Sequence, residues 1–429
     1  MAAARPAWEP PWNPGARPVT APGCCCNNCG RPQPGPRVDL RRRLANLDRL
    51  SGGTAPPAPV DTEAVRRSLS LETRTTDAGS VWVRRQRLHL PPPRTLPSLQ
   101  GFFARDPGPA AEPGDLLFLD TETTGLVGGT GTLPFLVGMA WWEDNELVVE
   151  QLMLPGPGHE SALLAGVAER AAGRPIVATY NGASFDLPLL RTRALLNRRV
   201  DPLADHLGWD LVVPARRLWS RRLADCRQQT VELHLGAGQR TSNEVPGAEI
   251  PAVWFAYLAG DGHSRLEGVL RHNRRDMAGM ARILLEVCRI AGELQDGAAT
   301  DYTDWRDAWS RGRISEQRGD MTGAAAWLRQ AMAVTDEPEN PRLVADALRL
   351  LKRNGDHGRA REVVEAALGG GLDESWLHRE MAILCEHRLG EPETALAHAL
   401  LAGDDRRVAR LRRRVAGTDP QRKEMPCPG

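Results

Sequence analysis

The sequence has no long hydrophobic run. Its longest apolar stretch, residues 133–142, contains ten residues and is interrupted by Pro134 and Gly138, whereas a transmembrane helix needs about 20 apolar residues. The first 23 residues are rich in proline, alanine and arginine, and they lack the apolar segment of a secretory signal. We therefore expect no membrane-spanning helix and no membrane partner.

Regularly spaced cysteine pairs are also missing. Four of the eight cysteines lie within residues 24–29, and the other four are scattered. Cys26 and Cys29 have the spacing of zinc ligands, but a structural zinc site needs four ligands and no second pair follows, which leaves zinc binding by this cluster open. Because this pattern is not a disulfide framework, we expect a reducing compartment and predict a cytoplasmic location.

Neither glycine and proline nor charge of one sign dominates the composition. With 42 glycines, 34 prolines and 41% hydrophobic residues, the chain can build a sizeable core, which excludes collagen, coiled coils and wholly disordered proteins. The net charge is only +1, but residues 1–110 contain 16 arginines and eight acidic residues, and six of the nine residues 406–414 are arginine. Such basic ends suit a polyanionic partner, with solvated tails as the alternative.

The composition changes along the chain and predicts five regions. They are a disordered, basic, Pro/Gly-rich region with a short helix near 38–50 (1–62), a short β-containing lead-in (63–114), an α/β domain (115–295), helical repeats (300–403) and a basic tail (404–429).

The α/β assignment follows from alternating apolar segments. Strands are predicted at 116–120, 135–143, 146–154 and 175–180, and helices at 159–172, 184–196 and 271–294. Three strands followed by helix, strand and helices are typical of a mixed sheet flanked by helices.

After residue 300 only helical patterns remain. Gly319, Gly355 and Gly390 are each followed by an acidic residue and are spaced 36 and 35 residues apart. This period resembles that of tetratricopeptide repeats, and it predicts three helix pairs with a core separate from that of the α/β domain. A helical bundle with coincidental turns is the alternative.

Acidic residues occur at three places in the α/β domain. Asp120 and Glu122 end an apolar strand, where residues i and i+2 face the same side, and two close carboxylates favour a divalent cation between them. Asp186 lies in a first helical turn, and His272 and Asp276 share a helix face. Taken singly, each has an ordinary explanation, such as an exposed strand-end acid, a helix-start acid or a surface pair.

Taken together, these residues resemble the DEDD exonuclease superfamily with its RNase H-like fold, and more narrowly the YprB-type family. The motifs that carry the resemblance are LFLDTETTGL, GGTGTLPFLVG, YNGASFDLPLL, VPGAEIP and LRHNRRDM, within residues 115–295. The superfamily has one branch with tyrosine four residues before the last aspartate and another with histidine five residues before it. Here His272 stands four residues before Asp276.

The resemblance implies a set of site residues. Asp120, Glu122, Asp186 and Asp276 would hold two divalent cations, Mg²⁺ or Mn²⁺, and His272 would be the general base. A terminal nucleotide would contact the loop Thr123, Thr124, Gly125 and Leu126, together with Asn181.

Three further features are weaker signals. Arg216, Arg217, Arg221 and Arg222 flank Trp219, and this group would hold phosphates and stack a base or form a solvated helix face. Asp210 is a rival acid for the metal centre. The glycine-rich segment 128–132 lacks the lysine of a phosphate-binding P-loop, which argues against a helicase.

The sequence therefore predicts a metal-dependent nuclease, a 3′–5′ exonuclease that hydrolyses phosphodiester bonds of DNA or RNA by a two-metal mechanism. Its partners would be nucleic acid and a protein bound by the helical repeats. The alternative is a catalytically inactive nucleic-acid-binding adaptor whose helical repeats recruit a protein partner.

Overall fold

The computed structural model describes residues 60–103, 111–125, 131–238, 244–260, 263–296 and 304–418. The predicted helix near 38–50, the Cys24–29 cluster and Leu126 lie outside these residues.

Seven strands form one mixed sheet, in the spatial order β1–β2–β5–β4–β3–β6–β7. The strands are β1 Glu72–Thr76, β2 Gly79–Leu88, β3 Leu116–Thr123, β4 Pro134–Glu143, β5 Glu146–Met153, β6 Ile176–Thr179 and β7 Leu207–Asp210. The pairs β1–β2, β2–β5, β5–β4 and β4–β3 are antiparallel, whereas β3–β6 and β6–β7 are parallel. The carboxyl ends of β3, β6 and β7 therefore meet at one edge of the sheet, and the predicted mixed sheet is confirmed.

The first two strands belong to the same sheet as the rest. β2 pairs with β5 over its length, and Val81, Trp82 and Val83 are buried. The predicted lead-in 63–114 is therefore part of the sheet rather than a segment ahead of it, because its apolar side chains complete the core.

Seven helices accompany the sheet in the described residues. They are α1 Thr62–Ser68, α2 Glu160–Ala171, α3 Asp186–Leu196, α4 Val212–Trp219, α5 Gln228–His234, α6 Ile250–Leu258 and α7 Leu266–Asp296. Alternate residues of β3 face the two sides of the sheet. Phe118 packs in a cluster with Leu284 of α7, and Leu119 packs in another with Leu163 of α2.

The remaining described helices are α8 Trp305–Gln317, α9 Met321–Val334, α10 Pro341–Arg353, α11 His357–Gly369, α12 Ser375–Leu384, α13 Pro392–Leu401 and α14 Asp405–Thr418. They form three consecutive pairs, α8–α9, α10–α11 and α12–α13, which are followed by α14. The predicted glycines Gly319, Gly355 and Gly390 have φ of 85°, 78° and 72° between the helices of a pair, a conformation that favours glycine after a helix. The helix-rich region is confirmed, and its assignment to tetratricopeptide repeats stays a prediction.

One expectation about this region is wrong. One continuous cluster of buried side chains includes Phe118 of the sheet, Leu284 of α7 and Leu328 of α9, so the helical region has no separate core. Residues 405–418 form α14, whose Val408 and Leu411 are buried, and the predicted basic tail therefore begins as a packed helix. Among the described helices, none combines the length and apolar character of a membrane span.

Candidate metal centre

Strand β3 carries the first two acidic residues to the carboxyl edge of the sheet. Asp120 and Glu122 continue the strand face that begins with Leu116 and Phe118, and Glu122 is buried. The pairing with β4 shifts register between Glu122 and Thr123. The strand thus ends directly after both carboxylates have been placed on the same side.

Asp186, the first residue of α3, is attached to β3. Its Oδ1 accepts hydrogen bonds from the backbone N–H of Thr121 at 3.0 Å and from the Thr121 hydroxyl at 2.5 Å. Asn181 precedes it with φ of 63°, a left-handed conformation that asparagine tolerates. This turn brings the third carboxylate beside the first two.

Helix α7 brings His272 and Asp276 to the same place. The His272 Nε2 lies 3.2 Å from Asp276 Oδ2. One ligand atom from each of Glu122, His272 and Asp276 lies within 4.8 Å of the other two. The structure therefore places all four predicted acidic residues and His272 in one centre, since Asp120 also experiences the charges of Asp186 and Asp276.

A buried polar chain behind the centre orients Asp120. Asn273 Nδ2 donates to Asp120 Oδ2 at 3.0 Å, and Gln151 Nε2 donates to Asn273 Oδ1 at 3.0 Å. Gly138 lies opposite Asp120 in β4, and a Cβ there would come within 2.1 Å of Asn273 Oδ1. The glycine is therefore needed for Asn273 to reach Asp120.

The electrostatics of the centre disfavour so many negative charges. Burial, followed by the charges of Asp186 and Asp276, raises the pKa of Asp120 well above its ordinary value. Burial likewise raises the pKa of Asp186 to about 6. Among the described residues, neither carboxylate forms an ion pair with an arginine or lysine, so in this part of the chain their charge is left to protons or to a bound cation.

The donor set fits divalent cations. Four carboxylates supply hard oxygen ligands of the kind that Mg²⁺ and Mn²⁺ prefer. Asp120, Glu122, Asp186 and Asp276 are the residues that would hold them.

Asp120 and Asp186 line a cavity of about 850 Å³. Of the predicted substrate-binding residues, Thr123, Gly125 and Asn181 line it. Thr124 instead closes the base of its loop. Its N–H donates to the carbonyl of Leu133 at 3.0 Å, and its hydroxyl oxygen accepts the N–H of Leu133 at 2.9 Å.

Asp210, the rival acid, is used differently. Its carboxylate accepts the backbone N–H groups of Asn181 at 2.6 Å, Val212 at 3.2 Å and Ala183 at 3.3 Å. It therefore fixes the turn that leads into Asp186, although its charge also contributes to the raised pKa of Asp186.

The arginine-rich segment around Trp219 does not form one phosphate-binding surface. Trp219 is only 4% exposed, so the base-stacking interpretation is wrong. Arg217 donates to the backbone carbonyl of Gly101, and Arg222 pairs with Asp307 at 2.6 Å. Arg217 of α4 is therefore linked to the segment before β3, and Arg222, which follows α4, is linked to α8.

Sequence reasoning missed the residues that support the acids. Gln151 had a signal, since it is a polar residue within an apolar strand, and Asn273 directly follows His272. Thr121 and Gly138 gave no signal beyond their neighbours in the motifs, because their roles depend on contacts between distant segments.

Comparisons with known proteins find one family match and several similar proteins. Residues 117–287 match the model of the RNase_H superfamily. Over 176 residues the chain is 35% identical to the uncharacterized protein YprB of Bacillus subtilis (strain 168), and the match covers 41% of this chain and 42% of that protein. A family B DNA polymerase from the hyperthermophilic archaeon Pyrobaculum calidifontis is 14% identical, with a TM-score of 0.32 over 51% of this chain and 29% of that one.

Proposed function

Since residues 117–287 match the model of the RNase_H superfamily and the chain is similar to YprB over 176 residues, we propose that this protein is a metal-dependent nuclease. The observation that carries the proposal is the cluster of Glu122, His272 and Asp276, next to which Asp120 and Asp186 line a cavity. The described residues provide no arginine or lysine partner for Asp120 or Asp186, as a purely structural cluster would.

The roles of the acids follow from their positions. Asp120, Glu122, Asp186 and Asp276 would hold two divalent cations, which when bound would stabilise the charge on the attacked phosphate and on the leaving oxygen. The chain contributes the fixed arrangement, because Asn273 orients Asp120 and Thr121 orients Asp186.

His272 is the residue proposed to accept the proton of the attacking water. Its ring adjoins Asp276 and Glu122, so a water beside these carboxylates lies within its reach. Proton transfer to a positioned imidazole is typical of general-base catalysis.

The cavity wall supports an exonuclease that acts on a strand end. Thr123, Gly125 and Asn181 line the cavity, and Phe185 at its wall is 55% exposed, which makes its ring available to stack on a base. The 3′–5′ direction is inferred from the resemblance of the motifs. For the helix pairs after residue 304 we propose a protein partner.

The test is cleavage of end-labelled DNA and RNA oligonucleotides by the full chain with Mn²⁺ or Mg²⁺. We expect one of the two nucleic acids to be shortened from its 3′ end, and a 3′-terminal block to prevent this. The Asp276→Asn variant should be inactive while it remains folded.

The adaptor alternative gives a different result. A folded wild-type protein that binds oligonucleotides but cleaves none of them with either metal would replace the nuclease proposal by that alternative.

A further inference from the structure

A second cavity lies where α4 meets the first helix pair. It has a volume of about 770 Å³, and its lining includes Arg221, Arg306, Arg313 and Arg342 against the carboxylates of Glu337 and Asp346. We call it the arginine cavity. Its excess of positive charge favours an anionic ligand.

Two of the four arginines are already balanced by carboxylates. Arg306 pairs with Glu337 at 2.8 Å, and Arg313 pairs with Asp346 at 3.2 Å. These two pairs neutralise both acids of the lining. The two ion pairs therefore form part of the cavity wall without adding net charge to it.

The other two arginines form no ion pair with a carboxylate among the described residues, although the charge of Asp346 also acts on Arg221. Arg221 is half-buried, its guanidinium carbon lies 4.4 Å from the ring centroid of Trp309, and its Nη1 donates to Ser310 Oγ at 3.2 Å. Arg342 is exposed at the start of α10. Removing a guanidinium from water without an anion is costly, and burial accordingly lowers the pKa of Arg221.

The walls hold Arg221 in place. Trp309 Nε1 donates to Asp346 at 2.9 Å, and Trp305 Nε1 donates to Asp336 at 2.7 Å. The two indoles stack at 6.0 Å. A guanidinium that lies on a fixed ring keeps its edge donors directed, which suits a phosphate with its several acceptor oxygens.

The arginine cavity is close to the metal centre along the chain. Asp210, which fixes the turn before Asp186, also accepts the N–H of Val212, the first residue of α4. This helix has eight residues and is thus about 12 Å long. Ser220 and Arg221 of the cavity follow its last residue. With a phosphate every 3.4 Å or so along a stacked strand, about four nucleotides would cover the length of α4.

We propose that the arginine cavity binds a phosphate of a nucleic-acid strand through Arg221 and Arg342. Phosphate recognition follows from the cavity itself, whereas the choice of a strand as its source rests on the proposed function. The helical region would then hold the strand at a second point and extend the length of substrate that is bound.

The experiment measures the affinity of a labelled oligonucleotide by fluorescence anisotropy, on the Asp276→Asn background with Mn²⁺ so that cleavage does not enter. Arg342→Ala and Arg221→Lys should each weaken binding about tenfold, the value of one charge-assisted hydrogen bond. Arg342→Ala should also reduce the salt dependence of log K by about 0.7 for a single strand. The matched control is Arg388→Ala, at an exposed arginine outside this cavity, which should bind like the parent.

A second arm distinguishes the source of the phosphate. Inorganic phosphate is titrated calorimetrically into the wild type and Arg342→Ala. If phosphate binds and Arg342→Ala abolishes this while oligonucleotide affinity is unchanged, the site takes a free phosphate rather than a strand. If neither ligand responds to Arg342→Ala or Arg221→Lys, the proposal is overturned. Neither arm reads cleavage, so an inactive wild type would refute the nuclease and leave this result interpretable.

Discussion

Two carboxylate centres in the same sheet are neutralised in opposite ways. Glu150 of β5 is fully buried, and Arg74 and Arg170 each donate to it at 2.6 Å. Burial alone would raise the pKa of Glu150, but the hydrogen bonds of the two arginines outweigh it and lower the pKa. At Asp120 the pKa is raised, because burial and two further carboxylates act together.

The difference separates a structural ion-pair cluster from a ligand-dependent one. At Glu150 the chain supplies its own cations, so the cluster is complete after folding. At Asp120 the described residues supply acids, an amide and an imidazole, so the charge is balanced by protons or by bound cations. A carboxylate cluster whose charge depends on a bound ligand indicates a functional site.

The largest expected effect is on cleavage. Asp120→Asn should lower the rate at least a thousandfold, since a ligand oxygen is replaced where the phosphate charge must be stabilised. Glu150→Gln should retain the wild-type rate per folded molecule. Single-turnover kinetics at matched folded concentration measure both. Comparable losses in the two variants would remove the distinction between the centres.

His272 sharpens the contrast, because the partner of Asp276 is an imidazole whereas the partners of Glu150 are permanently charged guanidiniums. His272→Ala should lose 10²–10⁴-fold in rate, the usual contribution of a general base, with nearly unchanged Mn²⁺ affinity by calorimetry. If the affinity falls with the rate, His272 is a ligand instead. A wild-type rate would exclude both roles.

The Glu150 centre should dominate stability instead. Glu150→Gln leaves two arginines facing a neutral amide, and breaking such a buried pair costs about 3–5 kcal/mol. Urea unfolding measures this loss. The exposed pair partner Glu63, 53% exposed at its side chain, provides the control, since Glu63→Gln should leave the midpoint of urea unfolding nearly unchanged.

Gly138 tests how closely the support of Asp120 must fit. A methyl group at Gly138 would displace Asn273, and a misplacement of about 1 Å at a reacting centre can cost 10²-fold in rate. We expect Gly138→Ala and Asn273→Ala to lose about that much each, and the double variant little more. Gly156→Ala is the control, because a Cβ there meets nothing within 4 Å. Additive losses would mean that the two residues act separately.

The contrast also explains what the sequence could predict. Asp120 at the end of an apolar strand and His272 and Asp276 on one helix follow from local periodicity. Asn273, Gln151 and Gly138 meet only after three separate segments pack. Local patterns carry no information on such contacts.

The shared core escaped prediction for a related reason. The helical pattern after residue 300 shows that each helix has an apolar face, but not which surface covers it. In the structure α4 packs against α8, and Arg221 of the following segment lies on Trp309. Because the α/β region and the helical region bury apolar surfaces of each other, the change in composition along the chain does not mark a boundary between two cores.

The smallest expected effect is on the stability of the metal-free protein, and the two centres should give it opposite pH dependence. The pKa of Asp186 rises from 3.8 to about 6 on folding. Its contribution to stability is therefore present below about pH 4 and lost as the pH rises through 6. The pKa of Glu150 is lowered, so its contribution is present at neutral pH and lost on acidification.

In EDTA at pH 7.5, Asp186→Asn should therefore be more stable than the wild type, by about 1–2 kcal/mol, since relaxation and water entry reduce the repulsion. At pH 4 the two proteins should be alike. Adding Mn²⁺ should stabilise the wild type, by about 2.7 kcal/mol at 100 times its Kd, and should stabilise Asp186→Asn less. Thermal melting across this pH range measures all three. If Asp186→Asn is the less stable protein in EDTA and Mn²⁺ leaves the wild-type Tm unchanged, the carboxylates are held by the chain itself, and the centre is structural like that of Glu150.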